Sequence, residues 1–382
     1  MNMKRRLTGF VCAACLLLTG CTTAQDTSAP SAVTEGSGLR VTGEMSLSYA
    51  DQFSVKYCEG GYAIIEIRDG QRFLLVPEGK DVPADVQDMT VLRQPLEQIY
   101  VAASSAVDLF DGIGALDSVK MTSTKDWSLP AVQDALASGK MQYVGKYSAP
   151  DYEQLLSAKC GLAIESTMIY HTPETKEQLE SLGIPVLVER SSYESHPLGR
   201  MEWLRLYGLL LGRQTEADAY FAQQSEKFQK VASLSTDAEQ RPTVAFFYIS
   251  PNGYVNVRKP GDYISAMIDL AGGTYCLTAE DLDVEENALS TMNIQMESFY
   301  ALAKDADILI YNATINGELT DLDQMLGMDS MLADFKAVKE GKVWCTEQDM
   351  FQQTTGGADM ICDLYSIFHE DGEDLTFLHR LQ

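Results

Sequence analysis

The order of apolar and polar positions divides the chain into stretches of distinct texture. Residues 7–18 form one apolar run behind the basic cluster Lys4-Arg5-Arg6, and the run is too short to span a bilayer comfortably. Residues 22–43 are rich in Ser, Thr, Ala and Gly with almost no large apolar side chains, so they cannot build a core and read as a flexible tether. The next stretch is β-like. Residues 53–57 alternate, 62–67 are β-prone, Asp69-Gly70 has hairpin-turn chemistry, and 72–76 return.

From about residue 99 the period changes. Short apolar runs at 99–102, 142–144, 162–164 and 185–188 are separated by helical patterns, one starting near Ser105 and another filling 172–182 up to Gly183. Residues 199–234 are helical throughout. The part around 203–211 is apolar on nearly every face, Gly212 interrupts it, and Thr215-Glu216-Ala217-Asp218 has the form of an N-cap with first-turn acids. After Pro242 strands recur at 244–249, 308–311 and 343–345. The expected fold class is therefore α/β, two lobes with largely parallel sheets connected by a single long helix. The corresponding boundaries are a signal segment at 1–20, a tether at 21–43, an N-terminal lobe at 44–214, a linking helix at 215–236 and a C-terminal lobe at 237–382. The stretches opening at Glu153 and Glu297 each lead a helix into a strand, a weak echo between the lobes.

Composition narrows the function more than the fold. The chain carries 29 basic and 55 acidic residues, a net charge of −26, and the three basic residues of the signal segment make the remainder more negative still. Such a surface repels phosphate backbones and anionic lipid, which argues against nucleic-acid binding. Cys12 and Cys15 fall in the signal segment. Cys58, Cys160, Cys276, Cys345 and Cys362 form an odd, scattered set that is neither a disulfide framework nor a zinc pattern, and they read as buried thiols. No H-E-x-x-H, G-x-S-x-G or P-loop is present, and the four histidines are not spaced as a metal site. The expectation is a protein that is not an enzyme and has no resident cofactor or metal, although composition alone leaves room for a carboxylate pair.

Ligands of open α/β sheets bind beyond the carboxyl ends of strands. The candidates by that rule are Tyr170 and His171, then Arg190, Tyr193 and His196, then Tyr248, Tyr254 and Arg258, and finally Asn312, Thr314 and Thr355. Each also has a structural reading as a loop or helix cap. Crowding of several hydrogen-bonding side chains at one strand end makes 190–196 the strongest cluster.

Leu18-Thr19-Gly20-Cys21 resembles the lipobox of bacterial lipoproteins, which implies cleavage before Cys21 and lipidation of that cysteine. With the tether and two lobes, the chain resembles the substrate-binding lipoproteins of ABC importers, in the branch for ferric siderophores, haem or cobalamin. The likeness rests on Ser104-Ser105-Ala106, the stretches Tyr147 to Glu153 and Glu165 to His171, Leu182-Gly-Ile-Pro-Val, and Ala271-Gly-Gly. The 57–76 hairpin is more elaborate than the short start of well-known members. The resemblance implies a ligand cleft between lobes, a rigid connector with small closing motions, and Ser104 among the ligand contacts. It implies a monomer on the outer face of the cell membrane, held by its N-terminal lipid alone, that delivers an iron chelate to a permease and ATPase complex. It further implies docking on the permease through Glu153 and Glu297. A ferric siderophore leads, haem or a corrinoid is the alternative, and Arg190 and Arg258 are the expected anionic-group anchors. An anchored hydrolase and a sensor or adhesion module remain the competing classes.

Overall fold

The computed structural model of the chain describes residues 38–84, 86, 88–235, 241–369 and 372–382. Cys21, the signal segment and most of the expected tether lie outside them. The described part begins with a five-stranded sheet, β1 (Val41–Glu44), β2 (Phe53–Cys58), β3 (Ala63–Ile67), β4 (Arg72–Val76) and β5 (Thr90–Arg93), in sequence order. Ordered pairing thus reaches into the stretch read as tether, because Val41 pairs opposite Cys58 and Glu44 opposite Lys56. The β3–β4 turn uses Gly70 at φ 98°, a conformation that favours glycine. Phe53, Val55, Ile65, Phe73 and Leu75 turn one face of this sheet into the main core, while Ile64, Leu74 and Val76 fill a smaller cluster on the other.

The N-terminal lobe follows: β6 (Ile99–Val101), α1 (Ser104–Gly112), β7 (Val119–Thr122), α2 (Pro130–Ala137), β8 (Gln142–Tyr143), a small ribbon of β9 (Gly145–Lys146) and β10 (Ala149–Pro150), α3 (Tyr152–Ser157), β11 (Leu162–Ser166), α4 (Pro173–Ser181) and β12 (Val186–Glu189). Its sheet runs β12-β11-β6-β7-β8, and every pair in it is parallel. Near-continuous apolar strands such as Ile99–Val101 are what a sheet covered on both faces requires.

Two helices carry the chain across. In α5 (Pro197–Leu211) all but two residues are buried, which its all-round apolar texture demands. Gly212, at φ 68°, ends it. The 22-residue α6 (Gln214–Ser235) then starts one residue before Thr215, so Thr215 lies inside the first turn and is not the N-cap expected from sequence. A Cβ on Gly208 would stand 2.7 Å from the Ala217 Cβ, so glycine permits this close α5–α6 crossing.

The C-terminal lobe contains β13 (Thr243–Ile249), β14 (Val255–Arg258), α7 (Tyr263–Leu270), β15 (Thr274–Tyr275), α8 (Ala279–Leu282), β16 (Thr291–Ile294), α9 (Met296–Ala303), β17 (Ile308–Tyr311), α10 (Leu322–Leu326), α11 (Lys336–Lys339), β18 (Val343–Thr346), α12 (Gly357–His369) and β19 (Leu378–Arg380). Its sheet, β16-β14-β13-β17-β18-β19 with β15 beside β13, is mixed: parallel at β13, β15, β17 and β18, antiparallel at β14, β16 and β19.

The lobes are joined by more than their connector. Thr354 Oγ1 donates to the Ser105 carbonyl at 2.7 Å, and the Thr355 amide donates to Asp108 Oδ2 at 2.6 Å. Gln352 bonds the Ser128 amide (2.9 Å) and the Asp126 carbonyl (3.1 Å). One hydrophobic core runs from Phe53 through Trp203 and Phe228 to Phe377, so hinge motion would have to break packed apolar contacts. Among the described residues, no helix is long and apolar enough to cross a membrane.

Candidate functional site

A cleft of about 540 Å³ opens between the lobes. The carboxyl ends of β6, β11 and β12 open onto it. Beyond β6 the chain brings Ala103, Ser104 and Ser105; at the end of β11 and beyond it, Ser166, Thr167, Met168 and His171; beyond β12, Ser192 and Tyr193. Opposite them stand Tyr248 on β13, Asn256 and Arg258 on β14, Thr291 on β16, and Asn312, Thr314 and Ile315 after β17. Hydroxyl and amide side chains stand on both walls. Met168 and Ile315, 48% and 62% exposed, supply apolar surface, one from each lobe.

Cationic and acidic groups are buried around this polar chamber. Arg200, on α5, is 8% exposed and lies over the Tyr263 ring at 4.1 Å. Its Nε is buried without a hydrogen-bond partner. Arg258 pairs with Asp262 at 3.6 Å and lies among the rings of Phe246, Tyr263 and Phe351. Asp262 also caps α7, accepting from the Ile264 amide at 3.0 Å. Burial raises the Asp262 pKa while the Arg258 guanidinium opposes the rise. Glu189, 2% exposed, accepts from the Ser191 amide at 2.9 Å, and burial raises its pKa against the pull of that bond and of Arg200 and Arg190. A desolvated guanidinium with a free donor is a receptor for an anionic oxygen. Among the described residues, no group of three His, Cys, Asp or Glu side chains is arranged to hold a bare metal ion.

The structure brings Ser104, His171, Tyr193, Tyr248, Arg258 and Asn312 together along the cleft. Asn312 is partly committed, since its Oδ1 accepts from the Thr314 amide and hydroxyl at 3.1 and 2.7 Å. Tyr170, Arg190, His196, Tyr254 and Thr355 are not among the lining residues. Tyr170 is exposed and bonds Asp69 in the β3–β4 turn; burial first, and then Asp69, push its phenol up to about 12. Arg190 Nε donates to Gln52 Oε1 at 3.1 Å, and its guanidinium covers the Tyr193 ring at 4.7 Å, so it is tied to the first sheet as a lobe-side brace. His196 caps α5 through its Nδ1 and stacks on Tyr49 at 4.5 Å, and burial lowers its pKa to about 4, so it is neutral. Tyr254 is exposed in the β13–β14 hairpin. Thr355 belongs to the seam between the lobes.

Glu153 and Glu297 are exposed in the first turns of α3 and α9. Each helix precedes a parallel strand, β11 or β17, and a parallel crossover starts its helix on the carboxyl side of the sheet, the side of the cleft. Asp151 already caps α3 by accepting from Gln154 at 3.0 Å, so Glu153 is not needed as the cap.

Sequence reasoning did not single out Arg200, Glu189, Asp262 or Tyr263. The available signal for Arg200 was a charged side chain in a helix apolar on nearly every face, a placement that is costly without a purpose.

The sequence profile of the periplasmic binding protein family matches residues 99–350, two thirds of the chain and parts of both lobes. An uncharacterized lipoprotein of Methanocaldococcus jannaschii is 25% identical over 328 residues, covering 81% of this chain and 75% of its own length. Among solved structures, the periplasmic catecholate-siderophore binding protein VctP from Vibrio cholerae aligns with a TM-score of 0.59 at 14% identity, over 80% of this chain and 99% of that one. A periplasmic haem-binding protein from Pseudomonas aeruginosa aligns with a TM-score of 0.59 at 15% identity, over 75% of this chain and 98% of that one.

Proposed function

The chain belongs to the periplasmic binding protein family, and we propose that it captures an anionic metal chelate, foremost a ferric siderophore, and hands it to an ABC permease and ATPase. The observation that carries this reading is the interlobe cleft of about 540 Å³, with hydroxyl-bearing walls and Arg200, whose buried Nε has no hydrogen-bond partner, among its lining residues. That volume lies within the range of small-molecule sites, about 300–1,000 Å³. Many hydroxyl and amide donors suit the polar periphery of a chelate, Arg200 suits its charge, and Met168 and Ile315 suit its apolar faces.

Haem is the second reading, favoured by His171, Tyr193 and Met168 on one wall as candidate axial ligands. A corrinoid would use the same amide-rich surface. The hydrolase alternative has less support, because the acids of the cleft are committed: Asp262 to Arg258 and the α7 cap, Glu189 to the Ser191 amide. On this reading Cys21 carries the lipid, the protein acts as a monomer on the outer face of the cell membrane, and Glu153 and Glu297 meet basic groups of the permease. The test is titration with ferric siderophores, haem and corrinoids, followed by absorbance and by Trp and Tyr fluorescence. Saturable binding of one class is expected, and no saturable binding of any class would refute the reading.

A further inference from the structure

The loop that leaves β12 has two kinds of residue. Glu189, Ser192 and Tyr193 line the cleft. The residues between and beside them are held from the other side by the first sheet, which lies entirely outside the stretch matched by the family profile. Val188 donates its amide to Gln71 Oε1 at 3.0 Å, Arg190 donates to Gln52 Oε1 at 3.1 Å, and the Glu194 carboxylate accepts from the Asp51 and Gln52 amides at 2.8 and 3.1 Å. Tyr170, beside Arg190, reaches Asp69 in the β3–β4 turn of the same sheet.

These contacts are specific in form. β12 is the edge strand of its sheet, and an edge strand presents unpaired amides. The Gln71 side chain takes up one of them where a further strand would otherwise pair. Gln52 is 3% exposed and Arg190 half-buried, so the bond between them is partly shielded from water. Arg190 then lies over the face of Tyr193 at 4.7 Å, which restricts a ring that forms part of the cleft wall. The linkage therefore runs from Gln52 to Arg190 to Tyr193, from the first sheet to the ligand surface.

We infer that the N-terminal sheet is a positioning element of the binding site: it clamps the 188–194 loop from behind and so fixes Ser192 and Tyr193 in the cleft. Arg190 acts through Tyr193 and does not touch the ligand. The inference rests on the cleft being the ligand site, and the test separates the two.

The first measurement needs no ligand. Amide hydrogen exchange across 188–194 is compared in the wild type, Gln52→Leu and Gln52→Glu, the last of which keeps an acceptor for Arg190. Gln52→Leu should speed exchange in the loop about tenfold, and Gln52→Glu, which keeps the acceptor for Arg190 but sets a carboxylate against Asp51, should speed it less. Unchanged exchange in Gln52→Leu overturns the clamp whatever the protein binds. The second measurement titrates a ferric tricatecholate chelate and haemin into the wild type, Gln52→Leu, Tyr193→Ala and the double variant. Gln52→Leu should weaken the bound chelate about fivefold to tenfold, the effect of one partly buried hydrogen bond. In the Tyr193→Ala background the same change should cost nothing further, because the two act in series. Additive losses would show that Gln52 acts on general stability and overturn the route through Tyr193. If the wild type binds neither probe, nor any other chelate class, the proposed function fails, while the exchange result still decides the clamp.

Discussion

Replacing Glu165 by Gln should change how stability depends on pH. Glu165 is on β11, fully buried, and neither carboxyl oxygen has a hydrogen-bond partner. On the neighbouring strand, where Ala163 pairs opposite Tyr100, the buried Tyr100 hydroxyl is also unpartnered. Burial raises the Glu165 pKa from 4.5 to about 8. Below pH 4.5 the group is protonated in both the folded and the unfolded chain and has no effect on the balance. As pH rises, the unfolded chain ionises first, so folding must keep a proton bound that the unfolded state releases. Stability contributed by the neutral acid is thus present at low pH and falls by about 1.4 kcal/mol per pH unit until the folded group ionises near 8. The accumulated loss, roughly 4–5 kcal/mol as an upper bound, is large beside a typical total stability of about 5–15 kcal/mol. A glutamine cannot ionise, and its cost, an amide in the same unpartnered site of about 1–3 kcal/mol, does not vary with pH. Urea unfolding of wild type and Glu165→Gln at intervals from pH 5 to 8.5 reads the difference, from which groups such as Glu194, raised by burial to about 7, largely cancel. The variant should gain on the wild type steadily up to about pH 8 and level off above it. A difference that stays flat with pH would refute the reasoning and mean that Glu165 is ionised in the folded protein.

Arg200→Met should weaken anionic chelates by about 1.5–3 kcal/mol and leave a neutral tri-hydroxamate chelate unaffected, measured by fluorescence titration; equal losses for both would remove charge as the reason. Glu202→Gln should loosen the first sheet, since this fully buried carboxylate gathers the amides of Ser48, Tyr49 and Ala50 and the Arg205 guanidinium. A loss of about 3–5 kcal/mol with faster proteolysis near residue 48 is expected, and wild-type unfolding would contradict it. The Glu153→Lys, Glu297→Lys double variant should bind its chelate normally yet fail to support uptake by cells that display it; full uptake would exclude docking through these residues. For His379, burial opposes the charge, but the Leu319 carbonyl at 2.7 Å and Glu347 outweigh it and raise the pKa. The stabilisation is complete below the unfolded histidine value and fades as pH rises through the raised one, so His379→Gln should cost more at pH 6 than at pH 8.5 in thermal unfolding. A loss independent of pH would contradict it.

The sequence alone determined much of this architecture, because the relevant signals are local. Strand and helix periods, the Asp69-Gly70 turn and the Gly212 break depend on neighbours a few residues away, and all of them correspond to observed elements. So does the alternation of strand and helix that makes the N-terminal sheet parallel. Strand ends also gave a usable address for the cleft, and Ser104, His171, Tyr193, Tyr248, Arg258 and Asn312 lie along it. What local pattern could not contain was which side chains at a strand end are already taken. Arg190 and Tyr170 sit at such ends, yet Gln52 and Asp69, more than a hundred residues earlier, hold them on the flank of the lobe. Arg200 came from the opposite error, since a charged residue in a buried helix reads as packing until the second lobe meets it and the cleft forms beside it. A strand end presents its residues to whatever packs there, and only the tertiary structure decided whether that was ligand space, a neighbouring sheet or the other lobe.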